Sequence, residues 1–121
     1  MKIKHAAFTM YPVKNMARAR KFYEKVMGLK MGKNYDDVWV EYFPGGTSCF
    51  AITTMVPTLK PANNIAFEVA DLKKAEARLK KAGAKCVFKT YETPVCRMAA
   101  YKDTEGNSFT LHAKKKMGRG A

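Results

Sequence analysis

The sequence predicts an α+β chain built from two tandem βαβββ modules. Three observations predict it. First, the chain repeats itself: Val13 aligns with Val69, Asn15 with Asp71, Met16 with Leu72 and Ala19 with Ala75, at a constant offset of 56. Second, each repeat carries an amphipathic helical stretch that opens at an Asn or Asp and closes at a glycine, Gly28 or Gly83. Third, each helix is followed by three short extended segments separated by turn-forming residues.

The elements follow in order. A first strand over about 6–13 ends at Asn15, whose side chain can accept from the free N–H groups of a helix's first turn. The helix after it has an apolar stripe of Met16, Ala19, Phe22, Tyr23, Val26 and Met27. Extended segments follow at about 29–34, 37–43 and 47–54, the last two joined by Pro44-Gly45-Gly46. Two prolines mark residues 55–62 as a connector. The second module repeats the pattern: a strand at 64–69, a cap at Asp71, and a stripe of Leu72, Ala75, Leu79 and Ala82. Its last strands lie at about 84–91, 96–102 and 107–113, with Asp103-Thr-Glu-Gly106 as the final turn. The expected domain is 1–113, with module 1 at about 3–54, module 2 at about 63–113, and a flexible basic tail at 114–121.

At 121 residues the chain has room for one small domain and its core. No run of about 18 apolar residues is present, and Thr9 and Pro12 interrupt the start before it can form a signal-peptide core, so no membrane partner is expected. Three cysteines, Cys49, Cys86 and Cys96, form an odd set without C-x-x-C spacing. That argues against a disulfide framework and a cysteine zinc site, and points to the cytoplasm. The formal charge of +13 resides on residues 12–30 (+5), 71–85 (+4) and the tail (+4). It therefore belongs to helix exteriors and the tail, which lowers the expectation of a nucleic-acid partner.

Three stretches carry a family resemblance: Pro12-Val-x-Asn-Met-x-Arg-Ala-x-x-Phe-Tyr-x-x-Val-Met-Gly28, Ile65-Ala-Phe-Glu-Val-x-Asp-Leu72, and Lys102-Asp-Thr-Glu-Gly-Asn-x-Phe-Thr-Leu-His112. In them the sequence resembles the vicinal oxygen chelate superfamily, which includes glyoxalases, bleomycin resistance proteins and dioxygenases. The resemblance implies two half-open, cup-like sheets with helices outside, and a homodimer. In metal-using relatives it also implies a divalent ion held by the first and last strands of each module. The positions that match those ligands are Phe8, Ala51, Asn64 and Thr110. Phenylalanine and alanine have no donor atom, and an amide with a hydroxyl makes a poor divalent site. In this respect the chain resembles the metal-free branch, and no cofactor is expected.

Strand alternation fills in the faces. Phe8 with Met10, Ala51 with Cys49 and Thr53, and Asn64 with Ala66 and Glu68 should each share a face; Trp39 and Glu41 should lie opposite Met98 and Ala100, and Ser108, Thr110 and His112 complete the cup. The alternate residues, among them Val40, Tyr42, Phe50, Ile52, Phe67, Phe109 and Leu111, should pack on the helices. The expected ligand-binding set is Phe8, Met10, Trp39, Glu41, Ala51, Asn64, Glu68, Met98, Thr110 and His112. It is mostly apolar with a few polar groups, the composition of a small-molecule pocket. The leading expectation is a protein that binds or sequesters a small, partly aromatic ligand without a metal. Next is a superfamily enzyme (lyase, isomerase or dioxygenase-like) with a displaced site at Glu41, Glu68 and His112. Nucleic-acid or acidic-surface binding through the basic exterior ranks third. Cys96 is expected to be a buried structural thiol, and His5 a surface residue.

Overall fold

The computed structural model describes residues 1–43, 49–62 and 65–115. The chain divides into two compact units, Met1–Lys60 and Pro61–Ala121. The Pro44-Gly45-Gly46 turn and Asn64 lie outside the described residues, as does the tail from Lys116 onward.

In unit 1 the elements run β1 (Thr9–Pro12), α1 (Met16–Lys21), β2 (Met31–Tyr35), β3 (Trp39–Tyr42) and β4 (Phe50–Thr53). The sheet order is β1-β4-β3-β2, with β1 parallel to β4 and the other pairs antiparallel. Pro12 is tolerated because β1 is an edge strand, where a missing N–H breaks no ladder. Unit 2 repeats this with β5 (Ile65–Glu68), α2 (Leu72–Lys81), β6 (Cys86–Glu92), β7 (Cys96–Lys102) and β8 (Ser108–Lys114), in the order β5-β8-β7-β6. Each unit is therefore a βαβββ module, as the repeat predicts.

The two caps are as expected: Asn15 accepts from the backbone N–H of Arg18 at 2.9 Å, and Asp71 from that of Lys74 at 3.0 Å. At the far end of α2, Gly83 takes φ +80°, and a Cβ there would meet nothing within 4 Å. Its role is thus the left-handed backbone alone.

Four local expectations change. The first strand begins at Thr9, since its ladder to β4 starts at the Thr9–Phe50 pair. Residues 1–8, Phe8 among them, precede it. The first helix is α-helical only to Lys21; Phe22–Val26 form a π-helical turn closed by the Met27 N–H donating to the Phe22 carbonyl. This wider turn accompanies the burial of two consecutive rings, Phe22 and Tyr23, 5.2 Å apart and edge to face. Asp37, expected to open a strand, instead forms a tight turn with Asp36; both have positive φ, and the Val38 N–H donates to the Tyr35 carbonyl. Last, the final strand reaches Lys114, and Lys115 is tied down as well, its N–H on the Val95 carbonyl and its ammonium 3.1 Å from Glu92.

Both cores lie between helix and sheet. In unit 1, Phe50 is the centre of a ring cluster, with Tyr11 and Tyr23 each 5.1 Å away in edge contacts worth about 0.5–1.5 kcal/mol beyond area burial. In unit 2 Phe67 meets Phe109 at 5.6 Å, with Leu72, Leu79 and Leu111 buried around them. A second device recurs in each core. The Tyr42 hydroxyl donates to Glu24 at 2.8 Å, and the Tyr101 hydroxyl to Glu76 at 2.7 Å. Glu76 also accepts from the Thr90 hydroxyl at 2.6 Å, while Glu24 is paired with Arg20. Burial and the carboxylate together push both phenols up, well above the usual tyrosine range. Burial alone would raise Glu24, but the bonds from Arg20 and Tyr42 outweigh it and hold the carboxyl below its ordinary value.

Removing one partner of such a bond leaves a buried acceptor short, so Tyr101→Phe should cost about 1–3 kcal/mol, read as a lower urea midpoint at unchanged slope. An unchanged midpoint contradicts this role. Asp36→Gly should act in the other direction and stabilise by roughly 0.5–1 kcal/mol, since glycine adopts the left-handed turn without a Cβ penalty. A lower melting temperature for that variant contradicts it.

Candidate functional site

With one helix per sheet, each module keeps a second sheet face that its own helix does not cover. In module 1 the register Met10–Ala51–Glu41–Lys33 sets one row across this face, and Pro12–Thr53–Trp39–Tyr35 the next. Phe8 joins them from outside the strand, its ring 5.1 Å from Trp39 and perpendicular to it. The Trp39 indole N–H donates to Glu41 Oε2 at 3.0 Å, which fixes both side chains. Phe8 is about half exposed, and Met10, Trp39 and Glu41 are half-buried. Ala51 and Thr53 are buried, however, and the Thr53 hydroxyl is committed to the Val38 carbonyl at 2.7 Å. Burial, then the nearby Glu41 carboxylate, pushes the Cys49 thiol up from its usual value. Cys49 is therefore a poor nucleophile at neutral pH.

In module 2 the corresponding rows are Ala66–Thr110–Ala100–Phe88 and Glu68–His112–Met98–Tyr91. Glu68 Oε1 lies 2.6 Å from His112 Nδ1, and Glu68 Oε2 accepts the backbone N–H of Lys114 at 3.1 Å. The bond to His112 is the main cause that holds the Glu68 carboxyl below its ordinary value. Phe88 and Tyr91 are exposed, and Met98, Thr110 and His112 are half-buried.

Each module thus gathers its own share of the predicted residues. Phe8, Met10, Trp39, Glu41 and Ala51 lie on the module 1 face; Glu68, Met98, Thr110 and His112 lie on the module 2 face. Of the positions that match metal ligands in relatives, Phe8 and Ala51 offer no donor and Thr110 offers a hydroxyl. That donor set does not fit a divalent ion. Among the described residues, no three His, Cys, Asp or Glu side chains converge on one point. Cys96 is buried, with its sulfur 3.1 Å from the Thr93 hydroxyl. His5 is exposed.

Sequence reasoning missed one concavity. A cleft of about 850 Å³ lies in module 2, lined by Leu72, Lys73, Glu76, Thr90, Arg97 and Lys115 among others. It lies at the start of α2 and beside the end of β8, with Ala113 and Lys114 among its lining. Its charged groups are largely committed: Arg97 and Lys115 both pair with Glu92, and Glu76 with Tyr101 and Thr90. Its lining is more charged than the mostly apolar lining of a small-molecule pocket.

The comparisons with known proteins agree with this architecture. A family model described as the Glyoxalase/Bleomycin resistance protein/Dioxygenase superfamily matches residues 2–111. Among solved structures, the chain is similar to TnmS3, an antibiotic binding protein from Streptomyces sp. CB03234, with 24% identity and a TM-score of 0.80. The match covers 95% of this chain and 99% of that one. It is also similar to a lactoylglutathione lyase from Agrobacterium tumefaciens, with 14% identity over 93% of this chain and 96% of that chain, at a TM-score of 0.75. A glyoxalase/dioxygenase from Nostoc punctiforme matches at 12% identity over 93% and 92% of the two chains, with a TM-score of 0.76. At these identities the likeness is one of fold. No curated protein matches the sequence.

The sign of the Glu68 shift gives a prediction. A depressed carboxyl contributes stability above its unfolded-state value, which is lost as pH falls through the lower folded value. The Lys114 amide, which donates to Glu68, should therefore titrate by NMR with an acid midpoint below that of an ordinary glutamate. A midpoint at or above the ordinary value contradicts the geometry.

Proposed function

The chain belongs to the glyoxalase/bleomycin resistance protein/dioxygenase superfamily, and from that premise we propose that it binds a small, partly aromatic molecule without a bound metal. The observation that carries this reading is the make-up of the sheet faces left uncovered by the helices. Phe8, Met10, Trp39, Met98, Phe88 and Tyr91 supply flat or pliable apolar contact, with Glu41, Thr110 and His112 as sparse polar anchors. Aromatic and methionine side chains suit a planar ligand, since both stack without a fixed hydrogen-bond pattern. The ligand-position residues Phe8 and Ala51 argue against a metal. One similar structure is that of an antibiotic binding protein, which supports a sequestering role. No helix among the described residues is long and apolar enough to cross a membrane. The reading includes a cytoplasmic homodimer; the exposed apolar residues Met31, Tyr35 and Val87 on β2 and β6 support the dimer.

A second reading, an enzyme of the superfamily, is favoured by one observation, the short Glu68–His112 contact. Glu41, the third residue of that displaced site, is engaged by the Trp39 indole in module 1.

Trp39 is the single tryptophan, so its fluorescence reports on the module 1 face. Titration with a panel of planar aromatic compounds should quench or shift its emission with micromolar midpoints, about −8 kcal/mol of binding free energy. Metal analysis of protein purified without chelators should show no stoichiometric Zn, Fe, Mn or Ni. A silent panel removes the binding reading for the module 1 face; stoichiometric metal removes the metal-free part of the reading. Turnover that disappears in His112→Ala would favour the enzyme instead.

A further inference from the structure

On the module 2 face, the polar pair Glu68 and His112 stands among mainly apolar side chains, with the Thr110 hydroxyl in the next row. Glu68 and His112 are register partners on β5 and β8, and Met98 and Tyr91 continue their row across β7 and β6. Ala66, Thr110, Ala100 and Phe88 flank it in the next row. The carboxylate has both oxygens engaged: Oε1 meets His112 Nδ1, and Oε2 takes the Lys114 N–H. An ionised carboxylate can only accept, so His112 Nδ1 carries the proton between them. In the neutral ring the lone pair is then at Nε2. A carboxylate that fixes the tautomer and the angle of an imidazole leaves the second nitrogen as a directed proton acceptor.

The charged surroundings of the ring are few. Glu68 faces it from β5 and Lys114 follows it along β8. From β7 its partner is the neutral Met98, and beyond it on β6 is Tyr91. Arg97, next to Met98, pairs in register with Ala113 on the alternate face, and its guanidinium is held by Glu92.

We propose that this face selects ligands that carry a weakly acidic ring hydroxyl, a phenol or enol, whose O–H donates to His112 Nε2. Glu68 is the positioning residue. The proposal rests on the reading of the chain as a small-molecule binder and adds the chemical class of the molecule. The ring lies on Met98, Tyr91 and Phe88, and its hydroxyl reaches the imidazole. On ionisation the O–H bond breaks and an Nε2–H bond forms; the electron pair stays on the ligand oxygen. The product is an imidazolium between two anions, Glu68 and the phenolate. No oxidant, reductant or co-reactant takes part. The oriented pair thus lowers the apparent pKa of the bound hydroxyl.

Two probes of matched shape test this with the full chain: p-nitrophenol, whose absorbance reports its ionisation, and its methyl ether p-nitroanisole, which has no proton to give. The wild type should bind the phenol about 10-fold more tightly than the ether, the size expected for one charge-assisted hydrogen bond. The bound phenol should ionise at lower pH than the free one. In His112→Phe both the preference and the shift should vanish, read as the ratio of phenol to ether affinity within that variant. Glu68→Ala, at an exposed position, should weaken the preference and move the imidazole nitrogen NMR signals away from the Nδ1-protonated pattern. Equal binding of both probes to the wild type, or a preference that survives in His112→Phe, overturns the inference and leaves the binding reading standing. Binding of neither probe overturns both.

Discussion

A four-stranded sheet has two faces, and each module of this chain supplies one helix. Everything else in the structure follows from that mismatch. Alternation along the strands must sort residues into a covered set and an uncovered set, because neighbouring side chains point in opposite directions. The covered set is Tyr11, Val40, Tyr42, Phe50 and Ile52 in one module, and Phe67, Ala99, Tyr101, Phe109 and Leu111 in the other, all buried. The uncovered set is free to carry function, and it holds the Trp39–Glu41 and Glu68–His112 contacts. A one-residue slip in any ladder would exchange the two sets, so the register that builds the core also aims the site.

The repeat reached this arrangement by two chemical routes. Arg20 and Glu76 occupy equivalent helix positions at the offset of 56, yet carry opposite charge. In module 2 the carboxylate at that position takes the strand tyrosine directly. In module 1 the arginine instead clamps Glu24, one turn later, and Glu24 takes Tyr42. Helix and sheet are pinned by a tyrosine–carboxylate bond in both. The equivalence is therefore one of geometry and not of residue identity.

How much of this was legible in the sequence depends on the range of the interaction. Asn15 and Asp71 could be read as caps because their partners lie three residues away. Strand faces could be read because alternation is a local rule. Glu76 could not: within α2 it looks like one more charged residue, and its burial depends on Thr90 and Tyr101, 14 and 25 positions on. The Asp36–Asp37 turn was hidden because two left-handed residues in a row usually signal themselves with Asn or Gly. Here Asn34 and Arg20 hold Asp37 through its side chain instead. The residues of the site were named one by one, but the contacts among them, Phe8 on Trp39 and Glu68 on His112, came only with register.

In each module the first strand pairs in parallel with the last: β1 with β4, and β5 with β8. This has a kinetic consequence. A parallel pair cannot close through a hairpin, so β1 and β5 must wait, unpaired, until some forty residues downstream have been made. Asn107 adds a second long-range tie in module 2, its Oδ1 accepting the Ala62 N–H across a separation of 45 residues. The helix and the antiparallel hairpins can form early from local contacts, and loop-closure entropy is met last, when the first strand docks. On a ribosome, β1 can find β4 while module 2 is still being synthesised, and β5 docks only once β8 has been made.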